Sequence, residues 1–319
     1  MKFPISNFQF PIVRRPENSS VSSRFQIGNR QLAIKNGFSL IEVMVVVALM
    51  ALIVLALMAV FTSTQRAFRA AVTQTDVLEG SRAAMDLIAT DLRGLTPSGY
   101  ASNLIYSAGG AVNFQVRANL GYTPLTQNLP GSSAQRTNLL NYFFALSRNN
   151  TTWTGIGYIV DTTSASPLYP LYRFYEQTNV AFSPWLLWND FQNASLTNMS
   201  HLVDGVVHLT LRAYDVNGTW INNYYQTYTN ALNTEFLSAS TTPPAGNGYG
   251  EAQILMFSNA VPAAVELELG VLEDRALARA ESLPHNSTAQ LNYLAQQAGA
   301  VHLFRQRVTI PNVDTTAYP

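Results

Sequence analysis

The chain has 319 residues, enough for one domain of ordinary size with appendages. Hydrophobic residues make up 47% of it, as in a globular protein, but charged residues make up only 12%, about half the usual share. Net charge is zero and cysteine is absent, which excludes disulfides, thiolate zinc sites and cysteine catalysis.

The zero hides an asymmetry. Residues 1–37 carry Lys2, Arg14, Arg15, Arg24, Arg30 and Lys35 against Glu17, a net of +5. The remainder holds 13 arginines and 18 acids, a net of −5, and no lysine follows Lys35. A basic flank, an apolar span and an acidic remainder fit the positive-inside rule, with the remainder outside the cytoplasm. An acidic head also argues against nucleic acid, whose phosphates need a basic face. Residues 1–37 show no helical or strand period. They read as flexible cytoplasmic sequence or, in part, as an over-extended gene start.

From Phe38 to Phe61 the sequence runs 24 residues with one charge, Glu42, and one hydroxyl, Ser39. About 20 apolar residues span a bilayer core as a helix, and no proline or glycine interrupts the run. An ordinary secretory signal places its cleavage site after a short apolar core. Here the plausible cleavage point, Gly37, precedes the core, so cutting there leaves the hydrophobic helix in the mature protein.

Gly37-Phe38-Ser39-Leu40-Ile41-Glu42, preceded by Lys35 and followed by the apolar run, resembles the start of type IV prepilins and type II secretion pseudopilins. The resemblance implies a prepilin peptidase that cuts between Gly37 and Phe38 and methylates the new amine of Phe38. It also implies an assembly role for Glu42, the fifth mature residue. A carboxylate in the apolar layer is costly unless paired, and the Phe38 ammonium of a neighbouring subunit is the implied partner. A glutamate one turn from a helix start, favoured by the helix dipole, is the plainer account.

Beyond Phe61 the helical period persists through Phe68, Val72, Leu78, Met85, Ile88, Leu92 and Leu95. Gln65, Arg66, Arg69, Gln74, Asp76, Glu79 and Arg82 fall on the other face, and Pro97 and Gly99 stop the helix. The organisation expected is a cleaved leader over 1–37 and a transmembrane half-helix over 38–61. An amphipathic half-helix over 62–96 and a β-rich head over 97–319 complete it. The helix should be about 85 Å long. The fold class is α+β and pilin-like, the helix packing on a head with antiparallel sheet.

In the head, strands are expected at Val112–Arg117, Tyr142–Leu146, Gly155–Val160, Leu171–Tyr175, Val206–Tyr214, Ala264–Val271 and Val301–Ile310. Glu273–Glu281 reads as a short helix, and Asn286-Ser287 caps another running through Gln297. Segments 178–203 and 228–252 read as long loops suited to partner contacts.

Asp91-Leu92-Arg93 at the helix end resembles the J-type minor pseudopilins and their pilus counterparts. So do Gly205-Val206 with Arg212, Tyr214 and Trp220, and the proline-led strand from Val261-Pro262. This resemblance implies a minor pilin or pseudopilin that helps initiate or cap a filament. Its implied partners are the prepilin peptidase, other pilin or pseudopilin subunits and the inner membrane. The implied location is that membrane, crossed once, with the N-terminus cytoplasmic and the head periplasmic or extracellular.

No enzyme is expected, and no cofactor. The head has no lysine for a phosphate-binding loop, and His201, His208, His285 and His302 show no metal-ligand spacing. Asp215-Val216-Asn217-Gly218 starts like a calcium loop but lacks the later acids, which leaves a turn. Gly246-Asn247-Gly248-Tyr249-Gly250 lacks the strand–helix context of a dinucleotide loop. Trp185, Trp188, Tyr224, Tyr225 and Tyr228 suit core filling and subunit contacts, or a sugar-binding surface. The rival functions are a membrane-anchored, adhesin-like binding protein exported through the prepilin route and an anchored hydrolase, for which a close carboxylate pair in a cleft would be the sign.

Overall fold

The computed structural model describes residues 39–100, 110–119, 124–222, 233–236 and 253–318, with the side chains at 69–77 excepted. Residues 1–38, the Arg69, Val72, Gln74 and Asp76 side chains, Tyr224, Tyr225, Tyr228 and residues 246–250 lie outside them. Two units divide the chain between Thr62 and Ser63. The first contains the apolar part of α1 (Leu40–Arg93), a helix rich in leucine, methionine and alanine. Every described residue from Leu40 to Thr62 is exposed.

The second unit is built on antiparallel sheet, as the alternating, β-branched segments of the sequence require. Its strands are β1 (Val112–Ala118), β2 (Leu125–Asn128), β3 (Gln135–Asn138), β4 (Asn141–Asn149), β5 (Thr152–Val160) and β6 (Leu171–Asn179). They continue as β7 (Ser200–Val203), β8 (Val206–Tyr214), β9 (Thr234–Phe236), β10 (Ile254–Phe257), β11 (Ala264–Leu272) and β12 (Val301–Thr309). A seven-stranded sheet runs β7-β6-β5-β4-β1-β10-β9, a three-stranded sheet runs β12-β11-β8, and β2 pairs with β3. Among the described residues three α-helices follow α1: α2 (Trp185–Asn193), α3 (Asp274–Glu281) and α4 (Thr288–Ala295). Ser287 caps α4, its hydroxyl accepting from the Gln290 N–H, so that expectation held, although the helix stops at Ala295.

One core lies between the end of α1 and the two larger sheets. Met85, Ile88, Ala89 and Leu92 meet Phe114, Phe143 and Tyr158 of the large sheet and Leu209, Leu211, Leu267 and Leu269 of the small one. The spacing of these α1 residues is that of one helix face. The expectation that 62–96 lies on the sheet is met in its last turns and not at its start: Ser63–Phe68 are exposed, Phe68 to 70%. Burial among the described α1 side chains begins with Ser81. The helix ends where the backbone is claimed by β4, because Leu95 bridges Ser147 and the Thr96 N–H donates to the Leu146 carbonyl.

Asp91 fastens this end of α1. It receives two hydrogen bonds from Arg173, at 2.8 and 3.0 Å, and one from the Tyr158 hydroxyl. Burial and then the Asp91 charge push the Tyr158 phenol above its usual range. Burial alone would lower Arg173, and its bonds to Asp91 more than offset this, leaving it raised.

The opposite face of the large sheet is covered by α2, which corrects the reading of 178–203 as a loop. That segment holds the end of β6, α2 and β7. Nine residues are fewer than the window over which a helical period is read. The helix buries Leu187 and Phe191, four apart, over β5. Gly155 and Gly157 open the furrow that receives them. A Cβ built on Gly157 would stand 2.3 Å from two Phe191 ring carbons, and one on Gly155 would stand 2.8 Å from the Leu187 Cβ. Gly157→Ala is therefore expected to cost about 3 kcal/mol by overpacking. Thermal melting of the purified chain checks this, and Phe191→Leu in the same chain should restore part of the loss. The other segment read as a loop, 228–252, contains β9 in its described part.

The two larger sheets are stitched where β8 meets the lead-in to β4. The Leu209 N–H donates to the Leu139 carbonyl at 2.8 Å, and the Leu139 N–H donates to His208 Nδ1 at 3.2 Å. Gly205, with φ of 72°, makes the left-handed turn that delivers β8 to this position.

Candidate functional site at the start of the long helix

Ser39 stands just before α1 and Glu42 lies in its first turn. The Ser39 N–H donates to Glu42 Oε2 at 3.1 Å, and the Glu42 N–H donates to Ser39 Oγ at 3.3 Å. The Val43 N–H donates to the Ser39 carbonyl at 3.2 Å, closing the first turn. This is a capping box: serine and glutamate three apart satisfy each other's amides at a helix start. The sequence reading treated Ser39 only as a hydroxyl in the apolar run. The Ser-x-x-Glu spacing was the signal that would have found the pair.

The box sits at the head of an apolar surface. Leu40–Phe68 is the one helix among the described residues long and apolar enough to cross a membrane. Leu40, Ile41, Met44, Val47 and Met50 are all more than 60% exposed. In water such a surface would drive association, so it belongs in lipid or against other apolar helices. Glu42 is the single carboxylate on it. Its capping bond leaves lone pairs on both oxygens, so it can hold its own helix start and still accept a cation from outside.

A model of the prokaryotic N-terminal methylation motif matches residues 33–59, a span that contains Gly37, Phe38, Ser39 and Glu42. The chain carries a prepilin-type N-terminal motif. No curated protein and no solved structure matches it. Prepilin-type chains form a structural rather than a catalytic family, and their motif implies processing by the prepilin peptidase and assembly with other pilins. A single apolar N-terminal helix fits a single-pass membrane anchor in such a protein.

The other residues singled out in this chain fall in separate places. His208 is buried on β8, on the face opposite Leu209 and Leu211, its Nδ1 accepting the Leu139 N–H and its Nε2 lying 3.5 Å from Glu268. The His208 hydrogen bond holds the Glu268 carboxyl below its usual value; burial works against this, and Arg212 assists. His201 pairs with Asp204 at 2.7 Å on the surface, and His302 lies 3.2 Å from Glu273. The Asp215 carboxylate accepts the Asn217 and Thr219 N–H groups, and Gly218 has φ of 79°, which makes this segment a turn.

Trp185 and Trp188 are on α2 rather than on a loop, and Trp188 Nε1 donates to buried Gln115 at 2.8 Å. Burial and then the charge of Asp190 raise the Glu176 pKa. Glu176 is an exposed residue on β6, and the carboxylates of Glu266 and Glu268 are both engaged by Arg212 and Arg305.

Proposed function

We propose that the chain is a minor pilin or pseudopilin that helps initiate or cap assembly of a type IV pilus or type II secretion pseudopilus. What carries the reading is the conjunction at the start of α1: the methylation motif, an exposed apolar helix, and Glu42 held at its first turn. On this reading the peptidase removes residues 1–37 and methylates Phe38. Residues 38–61 anchor the subunit in the inner membrane, with the leader cytoplasmic and the head outside, until it enters a filament.

The Phe38 ammonium of one subunit then pairs with Glu42 of the next. The protein acts without catalysis. The J-type assignment draws support from the work that its quoted residues do in the head. Asp91 fastens α1 to the large sheet, Gly205 turns the chain into β8, and the Arg212 guanidinium stands 5.7 Å from the centre of the Trp220 ring.

The deciding experiment is co-expression with a prepilin peptidase, followed by mass spectrometry of the intact protein and its N-terminal peptide. The expected mature chain begins at N-methylated Phe38. An intact Met1, or a cut beyond Phe61, in the presence of active peptidase would end this reading.

A further inference from the structure

β12 is a nine-residue edge strand of the three-stranded sheet, whose other edge, β8, is as long but is met at Leu209 by Leu140. All nine of its residues pair with β11, from Val301 opposite Leu272 to Thr309 opposite Ala264, without a bulge. Among the described residues no strand pairs with its other side. The strands at the edges of the seven-stranded sheet, β7 and β9, run only four and three residues, the short edges by which proteins avoid unwanted pairing.

The ladder shows which groups this edge offers. Ile310 donates to the Ala263 carbonyl and Glu273 to the Ala300 carbonyl, both pairs in register with β11–β12. Hydrogen-bonded pairs alternate along an antiparallel ladder. Even-numbered residues of β12 therefore turn their N–H and C=O groups to β11, and odd-numbered residues turn theirs outward. The Val301 N–H is already taken by the Ala298 carbonyl. Leu303, Arg305, Arg307 and Thr309 present backbone groups at the edge that no described residue pairs, and their side chains are exposed on one face of the sheet, Leu303 to 47%.

That face has a sign. Arg305 bridges Glu266 and Glu268 at 2.7 and 3.3 Å while its side chain stays 60% exposed. Arg307 lies 4.4 Å over the Tyr214 ring and has no carboxylate partner among the described residues. A strand with two arginines and no acid is a basic feature in a chain that is acidic beyond residue 37. A second copy pairing antiparallel about its centre would set Arg305 against Arg305, which is unfavourable. An incoming strand with carboxylates at alternate positions meets Arg305 and Arg307 on the same face.

We propose that β12 is a docking edge for an extended acidic segment of another protein, which adds to the three-stranded sheet as a fourth strand. The backbone groups of Leu303, Arg305, Arg307 and Thr309 supply the pairing, and the two arginines select the charge. The proposal does not depend on how the N-terminus is processed.

The test uses the purified full chain in detergent and two fluorescein-labelled peptides, Thr-Glu-Val-Glu-Val-Glu-Thr and its lysine counterpart. Fluorescence anisotropy should show saturable binding of the acidic peptide only. Leu303→Pro removes an outward N–H without removing a β11 bond and should weaken binding at least tenfold. Arg307→Glu should weaken it by about tenfold, one charge-assisted contact in 1.4 kcal/mol steps. Should Leu303→Pro fail to fold, as judged by circular dichroism, Arg307→Glu decides alone. Equal binding of the two peptides, or binding indifferent to these changes, would overturn the proposal. So would a concentration-dependent dimer in analytical ultracentrifugation that Leu303→Pro abolishes, because the occupant would then be a second copy.

Discussion

Glu42→Gln is expected to be cleaved and methylated like the unaltered chain and to be lost from filaments by at least an order of magnitude. On the proposed function two roles meet in this side chain, and glutamine separates them. As a capping residue, Glu42 accepts the Ser39 N–H, and glutamine does the same, since a capping box takes either residue. As a partner for a neighbour's ammonium, only the charged residue serves. The magnitudes favour charge as the larger effect. A cap contributes about 1 kcal/mol, whereas an unpaired ammonium or carboxylate in an apolar layer costs about 3 kcal/mol. Glu42→Ala should lose both functions, and Ser39→Ala only the cap, with assembly reduced less than in Glu42→Gln. Sheared filament fractions, probed alongside the N-terminal mass of each variant, measure the two effects separately. Assembly of Glu42→Gln at the normal level would reduce Glu42 to a helix cap and remove its register role.

Much of this molecule was legible before its structure because the informative patterns are local. The apolar run, its glycine-led start and the proline-marked end placed α1 within a few residues of Leu40–Arg93. Val206–Tyr214 was placed to the residue because His208 to Tyr214 alternate between two unlike faces. What escaped notice was short or depended on partners distant in sequence. β2, β3, β7, β9 and β10 are three or four residues long, too brief to show a period. Helix α2 is fixed by Gly155 and Gly157, about 30 residues upstream, whose missing side chains make room for it. Of the candidate site, the motif and Glu42 were visible, while the capping box was present in the spacing and passed over. The chain to which Glu42 would answer is another subunit, and that partner is legible only through the motif.

Asp91→Leu is expected to destabilise the chain by about 3 kcal/mol, while Asp91→Leu combined with Arg173→Met should return it close to the unaltered stability. The argument rests on burial. Asp91 and Arg173 side chains are only 9% and 17% exposed, and two bonds of 2.8 and 3.0 Å join them. Removing the carboxylate leaves a largely desolvated guanidinium with no countercharge, and Tyr158 loses its acceptor at the same time. Removing both charges leaves apolar side chains on a layer already lined by Leu92 and Phe143. Arg173→Met alone should be milder, because Asp91 keeps the Tyr158 hydroxyl. The effect should appear as a melting temperature lower by roughly 10 °C for Asp91→Leu, at about 3 °C per kcal/mol for a domain of this size. A double variant as unstable as the sum of the singles would show that the pair stabilises beyond its own desolvation. A single variant without effect would show that the apolar face of α1 alone holds the helix to the sheet.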